Sequence, residues 1–237
     1  MSRGSNITRG DELLARVLSG DDLESGIAND LLNEFFRGYP IDNLVRLLRS
    51  DDERVVRSGA WIASELARDA KPVLEHLIPL FNSTDTRVRY YCVETVLTAA
   101  TAQDGEVVGH AISRITDDER PVRRMTFELL ARAGRSPLLA GAAYVKDSRI
   151  VSLLEWVLEI ESELRDNDEI AARLCESDVL RRLFAAVAAA RIYRRNPHYL
   201  QLAVSLGESE AQSFAASELA WLTKLQEQSQ RSRDLSS

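Results

Sequence analysis

The chain has 237 residues and a net charge of −7, with 45% hydrophobic and 28% charged residues. This composition supports a folded core, and the acidic balance argues against nucleic acid and anionic membranes, since phosphate binding needs a local excess of Lys and Arg. Residues 1–10 lack the apolar run of a signal peptide, and the longest apolar run, Leu183–Ala190, is too short to span a bilayer. We therefore expect a cytoplasmic protein without a membrane segment.

The N-terminal part of the chain predicts a disordered segment followed by two helices. Residues 1–10 are polar and contain glycine, which favours disorder. Asp11–Leu18 fits a short helix, and Asp21 or Asp22 can cap a second helix that runs to Arg37. We interpret residues 11–37 as a cap that covers the open end of a stacked array.

Residues 41–134 contain an internal repeat. The sequence of Ser50–Arg57 returns in Thr116–Arg123, and a shorter copy lies at Ser83–Arg89. The Val-Arg pairs of the three copies end at residues 57, 89 and 123, so the copies are 32 and 34 residues apart. This period is typical of stacked helical hairpins and predicts an all-α solenoid.

Each copy consists of a short apolar helix, a polar turn and a second helix. The predicted first helices are Ile41–Leu48, Val73–Phe81 and Val107–Ile115. The predicted capping residues in the turns are Ser50/Asp51, Thr84/Asp85 and Thr116/Asp117. On the second helices one face carries mainly small or apolar residues at helical spacing: Val56, Ala60, Ala63, Ala67; Val88, Cys92, Thr95, Ala99; Val122, Thr126, Leu129 and Ala133.

Residues 136–225 continue with three less regular helix pairs, which begin near Ser136-Pro137, Asn167/Asp168 and Asn196-Pro197. Together with the three clear copies this gives about six helical hairpins in one domain, residues 11–225. Residues 226–237 contain a single apolar residue, Leu235, and predict a flexible tail.

The repeat resembles the HEAT-repeat family through the turn aspartates, the Val-Arg pairs and Pro79 inside a first helix. That resemblance implies a HEAT-like α-solenoid whose second helices line a concave face. The stretches Phe35–Pro40 and Ser58–Leu66 look like a group of small bacterial HEAT-repeat proteins, some of which resemble immunity proteins encoded beside toxins. This second resemblance implies a toxin domain as the protein partner.

On the second helices, the positions opposite the predicted core include a mixed set of polar and apolar residues. If the face is concave and open, it is either a solvated charged face or a strip that binds a protein. The exposed aromatic and isoleucine residues favour binding, because interfaces prefer such anchors within a polar surround. The predicted partner-binding residues are Ile62, Tyr90, Glu94, Arg124 and Glu128.

Two sets of charged residues have structural or functional alternatives. The turn aspartates and the arginines that follow them recur in each copy, so we interpret them as a structural ladder: Asp52, Arg57, Asp85, Arg89, Asp118 and Arg123. A late helix carries the strongest basic cluster: Arg181, Arg182, Arg191, Arg194 and Arg195. Helix-end stabilisation and pairing with acidic neighbours are one reading of this cluster, and phosphate or nucleic-acid binding is the alternative.

No motif for catalysis, a metal or a cofactor occurs in the sequence. The chain has no phosphate-binding glycine loop, and its three histidines, His76, His110 and His198, lie in different repeats without a second ligand at helical spacing. The sequence therefore predicts a non-enzymatic scaffold that binds another protein, with nucleic-acid binding through the basic cluster as the alternative. It fixes no oligomeric state.

Overall fold

The structure, a computed structural model, describes residues 8–20 and 26–234. Within these ranges it contains thirteen α-helices and three 3₁₀ segments, and no β-strand. Successive elements pack in pairs along the chain, as the helical-hairpin period predicts. The predicted all-α solenoid fold class is confirmed.

The described chain divides into two compact units, each of which is treated by itself. Unit 1 comprises Met1–Leu129 and Ser136–Val145, and unit 2 comprises Leu130–Arg135 and Lys146–Ser237. The predicted single domain, residues 11–225, is thus divided between them.

Unit 1 contains the N-terminal helices and the three clear repeats. Its α-helices are α1 Arg9–Leu18, α2 Ile27–Phe36, α3 Leu44–Leu48, α4 Glu53–Leu66, α5 Thr86–Ala99, α6 Gly105–Ile112, α7 Arg120–Arg132 and α8 Arg135–Ala142. Its 3₁₀ segments are Ile41–Asn43, Ala67–Asn82 and Ser113–Thr116. Helix α7 belongs to this unit through Leu129, and α8 from Ser136 onwards.

The N-terminal end is more ordered than the sequence predicts. Thr8 and Asp11 form a reciprocal capping box, so α1 begins at Arg9 and the predicted disorder is wrong for residues 8–10. The Tyr39 hydroxyl donates to Asp11 at 2.8 Å, and its ring lies where a Cβ on Gly10 would meet it at 2.5 Å. Residues 1–7, and the helix start predicted at Asp21/Asp22, lie outside the described residues.

The first helix of the second repeat is not α-helical. Ala67–Asn82 forms a long 3₁₀ segment that contains Pro72 and Pro79. Proline has no N–H to donate and its ring clashes with the preceding turn of an α-helix, which favours the tighter 3₁₀ winding. The segment still buries Val73, Leu77 and Phe81, so it takes the packing role predicted for Val73–Phe81.

The predicted core positions of the second helices are buried at ten of twelve sites, and Ala67 and Ala133 are half-buried. The buried surface of the second helices is wider than the predicted core positions, because Val55, Val93 and Phe127 are also fully buried. Each second helix is covered from more than one side, and α4 packs against α2, α3 and α5.

The turn aspartates cap the second helices. Asp52 and Asp85 cap α4 and α5 by accepting from the Arg54 and Arg87 backbone amides, each at 2.8 Å. The caps therefore fall at Asp52, one residue after the predicted Ser50/Asp51, and at Asp85, within the predicted pair.

The arginine ladder forms with different partners from some of those named by the sequence. Arg57 pairs with Asp85, and Arg89 pairs through two hydrogen bonds of 2.8 Å with Asp117. Asp117, rather than the predicted Asp118, is the buried acceptor, with a side chain 4% exposed. Asp52 pairs with Arg54 of its own turn at 2.7 Å. In the third copy the Arg123 guanidinium donates to the backbone carbonyls of Asp117 and Asp118.

Unit 2 contains the less regular repeats. Its α-helices are α9 Ser148–Glu161, α10 Asp168–Leu174, α11 Val179–Arg191, α12 His198–Ser205 and α13 Glu210–Asp234. Asp147 and Asp178 cap α9 and α11, and Arg149 of the first turn of α9 pairs with Asp178. Helix α13 continues through residues predicted to form a flexible tail, and residues 235–237 lie outside the described part.

The Arg57–Asp85 and Arg89–Asp117 ion pairs, the two rungs of the ladder in unit 1, differ in burial. We therefore predict different losses of stability when each pair is broken. Arg89→Ala leaves the buried Asp117 carboxylate with only the more distant Arg114, 3.8 Å away, so we expect a loss of about 3 kcal/mol in the free energy of unfolding. Arg57 is 40% exposed, and Arg57→Ala should cost about 1 kcal/mol or less. Urea denaturation of both variants measures the difference, and equal losses would contradict it.

The Arg89–Asp117 rung also predicts a pH dependence. Burial alone raises the pKa of the Asp117 carboxyl, but hydrogen bonds from Arg89 and the Glu119 amide outweigh it and hold the pKa below its ordinary 3.8. The pair therefore stabilises the fold above pH 3.8, and its contribution is lost as the pH falls through the lowered pKa. The stability gap between wild type and Arg89→Ala should narrow in that acidic range.

Glycine is required where α6 approaches α8. A Cβ on Gly109 would lie 2.7 Å from the Gly141 carbonyl oxygen and 2.6 Å from the Tyr144 Cβ. Gly→Ala in a helix normally stabilises by up to about 1 kcal/mol, but here overpacking should make Gly109→Ala destabilising by about 1–3 kcal/mol. Thermal unfolding tests the sign, with Glu106→Ala on the exposed face of α6 as the control that should stay within about 0.5 kcal/mol.

Candidate functional site

A cluster of acids and tyrosines forms on the second helices of unit 1. Helix α4 contributes one glutamate, α5 contributes two tyrosines and a glutamate, and α7 contributes an ion pair. We name this set the acid–tyrosine surface; its members are Glu65, Tyr90, Tyr91, Glu94, Arg124 and Glu128.

The repeat period places these side chains together. Tyr90 and Glu94 are one turn apart on α5, and Arg124 and Glu128 are the equivalent residues of α7, 34 positions later. Equivalent positions of stacked second helices face the same way. Beneath the polar groups, Cys92 and Thr95 of α5 are completely buried and hold the helix against its neighbours.

The tyrosines form the aromatic part of the surface. The rings of Tyr90 and Tyr91 meet edge to face, with centroids 5.7 Å apart, and both side chains are half-buried. Burial raises the pKa of Tyr90, and the negative charges of Glu94 and Glu128 raise it further. The Tyr90 phenol therefore stays protonated and remains available as a hydrogen-bond donor.

Glu94 is an acid in an unfavourable position. Burial raises the pKa of its carboxyl, a hydrogen bond with the Ser64 side chain opposes that shift, and the charges of Glu65 and Glu128 raise the pKa further. The shift shows that the folded protein does not fully compensate the Glu94 charge. A cation brought to this position would do so.

Arg124 and Glu128 form an ion pair one turn apart on α7, with a nitrogen–oxygen distance of 3.3 Å. Their side chains are 38% and 18% exposed. The pair therefore lies at the surface. The charges of Arg87 and Arg57 also act on Tyr91 and oppose the rise in its pKa.

The structure removes one predicted member and adds two. Ile62 was expected to be exposed, but its side chain is 0% exposed. The reason is that α4 is also packed against α2 and α5, which lie outside its own repeat and cover faces that a single repeat would leave open. Glu65 and Tyr91 were missed; Glu65 lies three residues after Ile62, on the same helical stripe as Tyr90 in the next repeat, so spacing alone indicated it.

The predicted basic cluster does not form one patch. Arg181 pairs with Glu176 at 3.0 Å, Arg191 with Glu161 at 2.8 Å and Arg195 with Glu163 at 2.8 Å. The Arg191 side chain is only 4% exposed. Arg181 and Arg191 lie near opposite ends of α11, about 15 Å apart at 1.5 Å per residue. Arg182 is half-buried, and Arg194 is exposed.

Residues 8–20 and 26–234 contain neither a group of metal-binding side chains nor a helix that could span a membrane. No three His, Cys, Asp or Glu side chains in these ranges are grouped so as to hold a metal ion. None of the helices in these ranges combines the length and apolar character needed to cross a membrane.

Comparison with known proteins supports the fold alone. No family model and no curated protein matches this chain. Among solved structures it is similar to crystal structures of two engineered proteins, both targets of the Northeast Structural Genomics Consortium. One is 17% identical with a TM-score of 0.50, over 90% of this chain and 96% of the other. The second is 16% identical with a TM-score of 0.51, over 90% and 98%.

Proposed function

We propose that this chain is a non-enzymatic scaffold that binds another protein through the acid–tyrosine surface of unit 1. The observation that carries the proposal is the position of Glu94, a half-buried carboxylate one turn from Tyr90 and close to Glu65 and Glu128; burial and these acids raise its pKa. Such a group lowers the stability of the free protein, and strained electrostatics of this kind are concentrated at functional sites.

The surface favours a partner with exposed Lys or Arg side chains. The charges of Glu94 and Glu128 both raise the pKa of Tyr90, so the surface around this ring is negative, which attracts cations and speeds association. The two tyrosines supply rigid aromatic area and hydroxyl groups next to those charges, a combination enriched at binding hot spots. Because the surface is built on packed helices, little conformational entropy is lost on binding.

The narrower part of the proposal concerns the kind of array and partner. The resemblance of the repeat to HEAT proteins, and of Phe35–Pro40 and Ser58–Leu66 to immunity-like members, supports a toxin domain as the cationic partner. The scaffold would act by occlusion, covering the surface of the toxin domain that contacts its target.

Substitutions at the surface should weaken partner binding. Tyr90→Ala removes a central aromatic and should lower affinity about 30-fold, equivalent to about 2 kcal/mol. The double charge reversal Glu94→Lys/Glu128→Lys should have a larger effect and should abolish the salt dependence of association. The measurement is affinity capture of the tagged chain from its native lysate after nuclease treatment, followed by titration with the captured protein.

Matched controls separate binding from folding and from net charge. Tyr90→Phe keeps the ring and should retain most of the affinity. Glu106→Lys/Glu155→Lys changes the net charge equally at exposed positions outside the surface and should leave affinity unchanged. The proposal is wrong if both reversals weaken binding alike, or if the captured material is nucleic acid that nuclease removes.

The cost of ionised Glu94 predicts a stabilising substitution. In the folded protein the pKa of the Glu94 carboxyl is raised above the ordinary 4.5, so ionisation of Glu94 at neutral pH destabilises the fold. This penalty disappears as the pH falls below 4.5, where Glu94 is protonated in both states. Glu94→Gln should therefore raise the free energy of unfolding at pH 7.5 and have little effect below pH 4.5, while weakening partner binding. Denaturant unfolding at both pH values measures the first effect; Glu106→Gln, on an exposed site, is the control.

A further inference from the structure

A cavity lies in unit 2, where the C-terminal end of α7 meets α11 and α13. Its volume is about 190 Å³, roughly the liquid volume of six water molecules. Four charged side chains line it, together with Trp221, Leu222 and two alanines whose small side chains leave the space open. The charged residues are Arg132, Arg191, Arg194 and Glu218.

One wall is fixed by an arginine held on two sides. Arg132 donates to both carboxylate oxygens of Glu218, at 3.2 and 2.6 Å, and the Glu218 side chain is 1% exposed. The Arg132 guanidinium also lies 4.1 Å from the centroid of the Trp221 ring. This cation–π contact and the ion pair hold the indole in place, while Trp221 remains 36% exposed.

Arg191 is another charged residue in the lining of the cavity. Its guanidinium donates to both oxygens of Glu161, at 2.8 and 2.9 Å, and to the Leu130 and Ala133 carbonyls. The side chain is 4% exposed, yet its Nε is buried without a hydrogen-bond partner. Arg191 is thus a fixed residue of the lining whose charge Glu161 already balances.

Arg194 is the charged residue of the cavity lining whose guanidinium has no acidic partner among the described residues. Glu218 and Glu161 neutralise Arg132 and Arg191, whereas Arg194 is exposed and, among the described residues, has neither an ion pair nor a hydrogen bond. The cavity thus presents one uncompensated guanidinium beside an indole and a leucine. Arginine binds planar carboxylates through two parallel hydrogen bonds.

We infer that this cavity binds a small aromatic monocarboxylate. The carboxylate pairs with Arg194, and the ring packs on Leu222 and the exposed part of Trp221. A single negative charge matches the single uncompensated arginine, and the volume limits the ligand to about one ring. This site is separate from the acid–tyrosine surface, so its test does not depend on the proposed function.

The first test is a titration of the full chain with benzoate. Binding is monitored by NMR through the resonances of the tryptophan indole N–H groups. The Trp221 resonance, assigned with Trp221→Phe, should shift saturably in the millimolar range expected for a fragment of this size. Trp61 and Trp156 should not shift; Trp156 is an internal control because Arg173 lies 3.9 Å over its ring without this cavity. Absence of a saturable Trp221 shift would overturn the inference.

Ligand and protein variants test the chemistry of the site. Neutral benzamide and inorganic phosphate, which lack the charge or the ring, should each bind at least about 10-fold more weakly than benzoate. Arg194→Gln should weaken benzoate at least about 10-fold, Arg194→Lys less, and Lys146→Gln, an exposed charge-matched control, not at all. Equal binding of benzamide, or unchanged affinity in Arg194→Gln, would also overturn the inference.

Discussion

Three of the turn aspartates hold neighbouring repeats together because each of the three serves two helices at once. The carboxylate accepts from a backbone amide at the start of its own second helix, and it also accepts from an arginine of the preceding repeat. Three such aspartates occur in the described chain: Asp85 with Arg57, Asp117 with Arg89, and Asp178 with Arg149. A shift in the register of one repeat would break both contacts, so the start of each helix is coupled to the stacking of its neighbour.

That coupling explains why a surface can be built from residues far apart in sequence. Once the register is fixed, positions one repeat apart become neighbours, and Tyr90 and Glu94 of α5 stand beside Arg124 and Glu128 of α7. The negative charge of the surface is therefore a consequence of which side chains occupy equivalent places in successive repeats. Change at these positions leaves the buried stripe and the turn contacts untouched, which allows such a scaffold to acquire a particular partner.

The sequence was sufficient for features that one helix decides, and insufficient for those that several helices decide. Period and capping residues located the hairpins, and helical spacing located most of the buried stripe and four of the six surface residues. Ile62 was misplaced because its burial depends on neighbours of α4 outside its own repeat, including α2. The partner of Arg89 is Asp117 and not the predicted Asp118. The two residues are adjacent in a turn, and residue spacing alone does not determine the backbone path of that turn.

The arginines show why a count of charges is a poor guide to what a chain of this kind binds. Arg89, Arg132 and Arg191 are largely buried and pair with carboxylates, so they contribute structure and almost no surface field. Glu94 and Arg194 are the opposite case, since neither has its charge balanced within the fold. A charge that the fold leaves uncompensated is one that a ligand can neutralise with net gain, because neither partner must first break an internal pair. In this protein Glu94 and Arg194 have opposite sign and lie in different units, so the proposed cationic protein and the proposed organic anion would contact different groups.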